Sequence, residues 1–270
     1  MRNTVPLSDE LWVSHLGHVP YSDGVAIQET VRARRQAGEL PDTLLMLEHP
    51  PVYTRGRRAG AEDLPFPESI YRAKGIEVAD TDRGGKLTYH GPGQLVGYPI
   101  MAIDDISRYL RTMEGAIVDA LAVEGIEARS RHDEGIDYTG VWVQDRKIAS
   151  IGVHVSRGVT THGFAVNVDL DLEPFSWVVA CGLPAVKMTS VAHELASENP
   201  QHANYDSAAL GLACFRKEMA YRFCEAHRRR QRLVSPARLG IAPMPAICAA
   251  PAGAEPIKSI APAELQAVGA

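Results

Sequence analysis

Residues 83–99 read Arg-Gly-Gly-Lys-Leu-Thr-Tyr-His-Gly-Pro-Gly-Gln-Leu-Val-Gly-Tyr-Pro. Lys86–Tyr89 and Leu95–Ile100 are strand-like runs, and Gly91-Pro92-Gly93 between them is a turn. Strands continue on both sides. Thr43–Leu47 is a short apolar run bounded by Pro41 and Pro50. Gly140–Gln144 and Lys147–Val155 read as a hairpin turning at Asp145-Arg146, and Gly163–Val168 follows with apolar/polar alternation. Helical spacing lies outside this strand-rich centre. Ile106, Leu110, Met113, Ile117 and Leu121 form one apolar stripe, and Gly125 follows as a stop. Asp23–Gly38 reads as a more polar helix. Asp206–Arg230 reads as a third, capped by Asp206 or Ser207, with Arg228, Arg229 and Arg230 favourable at its C-terminal end. Strands and helices do not alternate regularly, which argues against a doubly wound parallel sheet. The expectation is an α+β fold: a single domain with a central mixed or largely antiparallel sheet flanked by helices.

The chain has 270 residues, 45% of them hydrophobic and 23% charged, with a net charge of −5. That is enough chain for a substantial core. A mild acidic surplus gives no support for nucleic-acid binding. No apolar run reaches the roughly 18–20 residues of a membrane span, and the start of the chain has no apolar signal core. The cysteines, Cys181, Cys214, Cys224 and Cys248, show neither a Cys-x-x-Cys pair nor zinc-ligand spacing. No metal or cofactor is expected, and a reducing, cytoplasmic location is. Cys214 and Cys224 fall in the third helix and read as core residues. The folded domain is expected over residues 1–230. Residues 231–270, rich in Ala and Pro, are expected to form a mobile extension with at most a short helix near 261–268.

Chemistry concentrates in three places. Residues 83–94 put glycines among Arg83, Lys86, Tyr89 and His90; such a loop can bring backbone N–H groups close to a carbonyl or phosphate, or be a plain glycine-rich hairpin. It lacks the Gly-Lys-Ser/Thr of a Walker loop and the spacing of a dinucleotide fingerprint. Cys181 precedes Gly182-Leu183-Pro184, and Lys147 opens Lys-Ile-Ala-Ser-Ile-Gly. A lysine at a hairpin mouth is commonly a solvated charge. Brought beside the thiol, it would favour the thiolate, the nucleophilic form. Pairing of Cys181 with a histidine, as in cysteine hydrolases, is not specific, because His90, His132, His154 and His162 all compete. Arg55-Gly56-Arg57-Arg58-Ala59-Gly60 is either a basic loop of the kind that folds over an acyl-adenylate or a surface turn.

Several blocks in order carry a resemblance. They are residues 47–54, residues 83–99, Gly140-Val141-Trp142 with 147–152, His162-Gly163-Phe164-Ala165-Val166-Asn167, and Cys181-Gly182 followed by Met188-Thr189-Ser190. Over roughly residues 10–230 the chain resembles the lipoyl(octanoyl) transferases, the LipB family. The resemblance implies a fold similar to the catalytic domain of biotin and lipoate protein ligases, without their ATP chemistry. It implies that Cys181 forms an acyl-thioester and that Lys147 lowers its pKa. It places substrate contacts at Arg83, Gly84, Gly85, Lys86, Leu87, Thr88, Tyr89 and His90, at Ser150, Ile151 and Gly152, and at Gly163, Phe164 and Ala165. The implied donor is octanoyl-acyl carrier protein. The implied acceptors are lysines on lipoyl domains of 2-oxoacid dehydrogenase E2 subunits and the glycine cleavage H protein. Family members commonly carry Pro before the active cysteine, where this chain has Ala180.

Overall fold

The computed structural model describes residues 9–183, 186–198 and 212–242, apart from the side chains of Cys181 and Glu198. The chain opens with β1 (Glu10–His18) and α1 (Tyr21–Gln36), then β2 (Thr43–Glu48) and β3 (Val52–Arg55). The short helix α2 (Glu68–Ala73) and β4 (Glu77–Asp80) lead to β5 (Leu87–His90) and β6 (Gln94–Ile100). After α3 (Ile106–Val123) come β7 (Arg129–Ser130), β8 (Gly140–Val143), β9 (Arg146–Ser156), β10 (Val159–Asn167) and β11 (Lys187–Met188). The described part closes with α4 (Val191–Glu198), α5 (Leu212–Ala226) and β12 (Arg230–Leu233).

Among the described residues the strands form two sheets. The larger runs β12-β1-β2-β6-β10-β9-β8-β7, with β11 added beside β9; the smaller is β4-β3-β5. Pairings of β1 with β2 and β12, and of β9 with β11, are parallel. Those of β6 with β2 and β10, and of β9 with β8 and β10, are antiparallel. The sheet is therefore mixed, and the fold is α+β, as the strand-rich centre implied.

Both faces of the large sheet are covered, which is why β2 is a continuous apolar run and not an alternating one. Leu44 and Met46 enter a core with α3 and α5, while Leu45 and Leu47 point to the other side, under α1. On α3, Met113, Ile117 and Leu121 are fully buried, and each such burial contributes about 1.5–3 kcal/mol. Asp105 caps this helix by accepting from the Arg108 N–H at 3.0 Å. Ile106 and Leu110, read as the start of the same stripe, leave the core and line a cavity instead. A third core lies around the small sheet, where Tyr53, Tyr71, Tyr89, Phe175 and Trp177 pack together.

Strands β1, β3, β4, β7, β11 and β12 and helices α2 and α4 were not anticipated. The cap expected at Asp206 or Ser207 lies outside the described residues; the described helix there is Leu212–Ala226. The extension expected from residue 231 begins inside packed structure: β12 pairs with β1, and Leu239 in the following turn is fully buried against α1. Residues 243–270, including the helix expected near 261–268, lie outside the described residues.

Candidate active site

A cavity of about 490 Å³ opens along β9, walled by the glycine-rich loop on one side and by β10 on the other. Arg83, Gly84, Gly85, Lys86, Leu87, Thr88 and His90 line it from the loop and β5. Ser150, Ile151 and Gly152 line it from β9, and Gly163, Phe164 and Ala165 from β10. The register explains the last two groups: Gly152 pairs with Gly163 and Ile151 with Phe164. Residues far apart in sequence thus face one space. Tyr89 does not. The Tyr89 ring turns into the small-sheet core, 5.5 Å from the rings of Tyr53 and Phe175.

Arg83 is an internal clamp. Its guanidinium is buried and donates to the Thr54 carbonyl at 2.6 Å, the Thr54 hydroxyl at 2.8 Å and the Gly84 carbonyl at 3.0 Å. The loop is fastened to β9 by Gly84 N–H donating to the Val153 carbonyl at 2.9 Å. It lies so close that a β-carbon on Gly152 would stand 2.8 Å from the Gly84 carbonyl oxygen.

Lys147 is 2% exposed, although it opens a hairpin strand, and it lines the cavity. Its Nζ lies 5.2 Å from the centre of the Trp142 ring, directly across the β8–β9 ladder. A scaffold fixes this corner. The Lys147 carbonyl accepts from Thr189 N–H at 3.0 Å, the Thr189 carbonyl accepts from the Asn167 side chain, and Arg146 forms a two-point ion pair with the buried Glu194. Beneath it the buried carboxylate of Glu114, on α3, accepts from Gly140 N–H at 3.0 Å and from the Ser130 hydroxyl at 2.6 Å. Cys181 lies in a single 3-10 turn, Ala180–Gly182, which adjoins β5. Its backbone is described; its side chain lies outside the described residues.

The sequence offered His162 only as a candidate partner for Cys181 and did not bring together the ring cluster it belongs to at the other wall. Tyr21, Tyr98 and His162 line the cavity, and the fully buried His49 stands behind them. His49 Nδ1–H donates to the Val19 carbonyl at 2.6 Å, which leaves Nε2 to accept from the Tyr98 hydroxyl at 2.7 Å. Burial, with a smaller contribution from His162, brings the His49 pKa down to about 4. Burial also holds His90 well below the ordinary range, and the imidazole of His49 adds to this. His162, whose Nε2 lies 2.8 Å from Asp82, is also lowered, chiefly by burial. Burial alone would raise the Asp82 carboxyl; the His162 hydrogen bond and the charges of His162 and His154 outweigh it, so the pKa is lowered. His154 lines the cavity and His132 does not. In the basic loop, Arg55 is taken up by Asp80 and Glu68, while Arg57 and Arg58 stand at the cavity rim, Arg58 bridging to Asp137 at 2.8 Å. Among the described residues no cluster of His, Cys, Asp or Glu could hold a metal ion, and no helix is long and apolar enough to cross a membrane.

This architecture has relatives. The family described as "Lipoyl protein ligase A/B catalytic domain" matches residues 20–210. An octanoyltransferase of Rubrobacter xylanophilus is 48% identical over 188 residues, 68% of this chain and 83% of the relative. "Octanoyltransferase LIP2, mitochondrial" of Arabidopsis thaliana is 38% identical over 224 residues, 80% of this chain and 91% of the relative. Among solved structures, a lipoate-protein ligase A crystallised with ATP superposes with a TM-score of 0.67 at 20% identity, covering 84% of this chain and 89% of the other. A bipartite lipoate protein ligase of Thermoplasma acidophilum gives 0.64 at 19% identity, covering 84% and 87%. These two likenesses establish the lipoate-ligase fold expected above. The chain therefore belongs to the lipoyl protein ligase A/B catalytic-domain family and, within it, to the octanoyltransferases, enzymes of the lipoyl(octanoyl) transferase type.

Proposed function

We propose that this transferase takes an octanoyl group from octanoyl-acyl carrier protein onto Cys181 and passes it to a lysine of a lipoyl domain. The observation that carries this reading is the buried amine of Lys147 in the wall of a largely apolar cavity, beside the strand β11 that follows the Cys181 turn. In the first step the Cys181 thiolate attacks the thioester carbonyl carbon. A new C–S bond forms, the C–S bond to the carrier breaks, and the carrier thiolate leaves as the thiol after taking a proton from Lys147. In the second step the acceptor amine attacks the acyl-cysteine carbonyl, a C–N bond forms, Lys147 takes the proton, and the Cys181 thiolate is released. Thioester exchange is close to energetically neutral and amide formation from a thioester runs downhill, so no ATP enters the balance.

The cavity suits a fatty acyl chain because Leu87, Val96, Ile151 and Phe164 line it. Each methylene buried there contributes about 0.8 kcal/mol, so burial alone discriminates chain lengths modestly. The Thr88 hydroxyl is buried, lines the cavity and has no hydrogen-bond partner among the described residues, so it is available to a polar group of the substrate. The deciding experiment is intact mass after incubation with octanoyl-acyl carrier protein and no ATP. The expected result is one octanoyl adduct on the wild-type chain, absent from Cys181→Ser and discharged by added lipoyl domain. An adduct that persists in Cys181→Ser removes Cys181 from the role. Turnover of free octanoate that requires ATP would support ligase chemistry instead.

A further inference from the structure

We infer that Lys86 is a positioning residue for the turn that bears Cys181, and that it sets a second positive charge beside that turn. This rests on the reading of Cys181 as the acyl-accepting thiol. The Lys86 stem lies directly over Gly182: a β-carbon at 182 would stand 2.2 Å from Lys86 Cδ and 2.6 Å from both Cε and Nζ. The absence of a side chain at 182 is what lets the lysine pass there.

The far end of Lys86 points toward Asp63, with Nζ 4.0 Å from Oδ1. Asp63 is 1% exposed. Its Oδ2 accepts from Gly60 N–H at 2.9 Å, and its carbonyl accepts from Val179 N–H at 3.0 Å. Oδ1 is buried and has no hydrogen-bond partner among the described residues. A carboxylate buried this deeply needs a compensating cation, and the Lys86 ammonium at 4.0 Å supplies one. Asp63 therefore does two things: it ties the 61–63 turn to residue 179, at the entry to the Cys181 turn, and it holds the ammonium that lies over residue 182, at its exit. At 4.0 Å the ammonium is attracted without being hydrogen-bonded, so its N–H groups remain available on the cavity side, which Lys86 lines. A cation within a few ångströms of a thiol favours the thiolate. Other charged groups on the same cavity are Lys147 from β9, Asp82 and Arg83 from the same loop, Arg57 and Arg58 from the basic loop and Asp137, and Glu62 lies in the 61–63 turn.

The test reads alkylation of Cys181 by iodoacetamide against pH, followed on the Cys181 peptide by mass spectrometry in the full-length chain. Lys86→Met keeps the aliphatic stem and removes the charge, Lys86→Gln is a second neutral variant, and Lys86→Arg keeps the charge. Both neutral variants are expected to move the alkylation midpoint up by about one pH unit. They should also slow octanoyl-enzyme formation at neutral pH by about tenfold, with Lys86→Arg returning the midpoint toward wild type. Wild-type midpoints in both neutral variants would overturn the inference. If wild-type protein takes no octanoyl group at all, the transfer reading fails, and the alkylation midpoints still decide whether Lys86 acts on the thiol.

Discussion

A β-carbon on Gly140 would stand 2.8 Å from Cε of Lys147 and 2.4 Å from the carbonyl oxygen of Ala149. Gly140 has φ +136°, in the region that disfavours side chains, and its N–H is held by the buried Glu114. The start of β8 is thus shaped around the lysine stem. Gly140→Ala should cost about 1–3 kcal/mol of stability, through backbone strain and contact with β9. It should also displace Lys147 and lower the rate of acyl-enzyme formation more than the melting temperature alone would imply. Thermal unfolding and single-turnover acylation measured side by side check this; a wild-type rate would show that the lysine tolerates displacement.

Lys147→Met keeps the buried stem against Trp142 and removes the amine. Proton transfer by a positioned side chain is worth about 10²–10⁴-fold, so the overall transfer rate should fall by at least two orders of magnitude. If Lys147 acts on the thiol as proposed, the alkylation midpoint of Cys181 should move upward with the charge removed. A variant that acylates at full speed, with an unmoved midpoint, would show that the amine takes no part.

Legibility in the sequence followed the length of each element's pattern. The stripe on α3 and the strands of β2, β6, β9 and β10 were readable because their hydrophobic residues repeat over several positions. Short strands such as β4 and β12 give no period to read: β4 buries only Val78, and β12 buries no residue. Part of the cavity lining falls in the blocks that carry the family resemblance, 83–90, 150–152 and 163–165; on spacing alone the glycine-rich loop reads equally as a plain hairpin. Tyr89 stands apart because its ring packs against Tyr53 and Phe175, neighbours it acquires only in the folded small sheet. His49 and Tyr98 share one hydrogen bond across 49 residues, a relation that exists only after β2 and β6 pair. Glu114 was hidden inside a helix read for its apolar stripe.

The buried imidazoles set the response to acid. His49, with a pKa near 4 in the folded chain against 6.5 as reference, stays neutral while the unfolded chain takes up a proton. The unfolded state therefore binds more protons between those values, and stability falls as pH drops from about 6.5 toward about 4. For His49 alone the full loss is about 3 kcal/mol. His90 and His162 shift in the same direction and deepen it. Urea midpoints across this range should decline steeply in the wild type and less steeply in His49→Gln. Parallel curves would mean that His49 is not the titrating group.

Chain-length preference should answer to Gly97, a residue that does not itself line the cavity. Gly97 pairs with Phe164 across β6 and β10, and a β-carbon at 97 would lie 2.2 Å from Cζ of that ring. The ring bridges two environments. One edge packs in the core, 5.9 Å from the Phe223 ring, and the residue also lines the cavity. The core side is closed by Phe223, Met219 and the α3 stripe, so a ring pushed away from residue 97 has more freedom toward the empty side. Gly97→Ala should therefore shorten the space available to the acyl chain. Rates of Cys181 acylation from hexanoyl, octanoyl and decanoyl carriers should shift in favour of the shorter chains, by about fourfold for each methylene that loses its burial. An unchanged ratio, together with a lowered melting temperature, would mean that Phe164 had moved into the core and that the slot is bounded elsewhere.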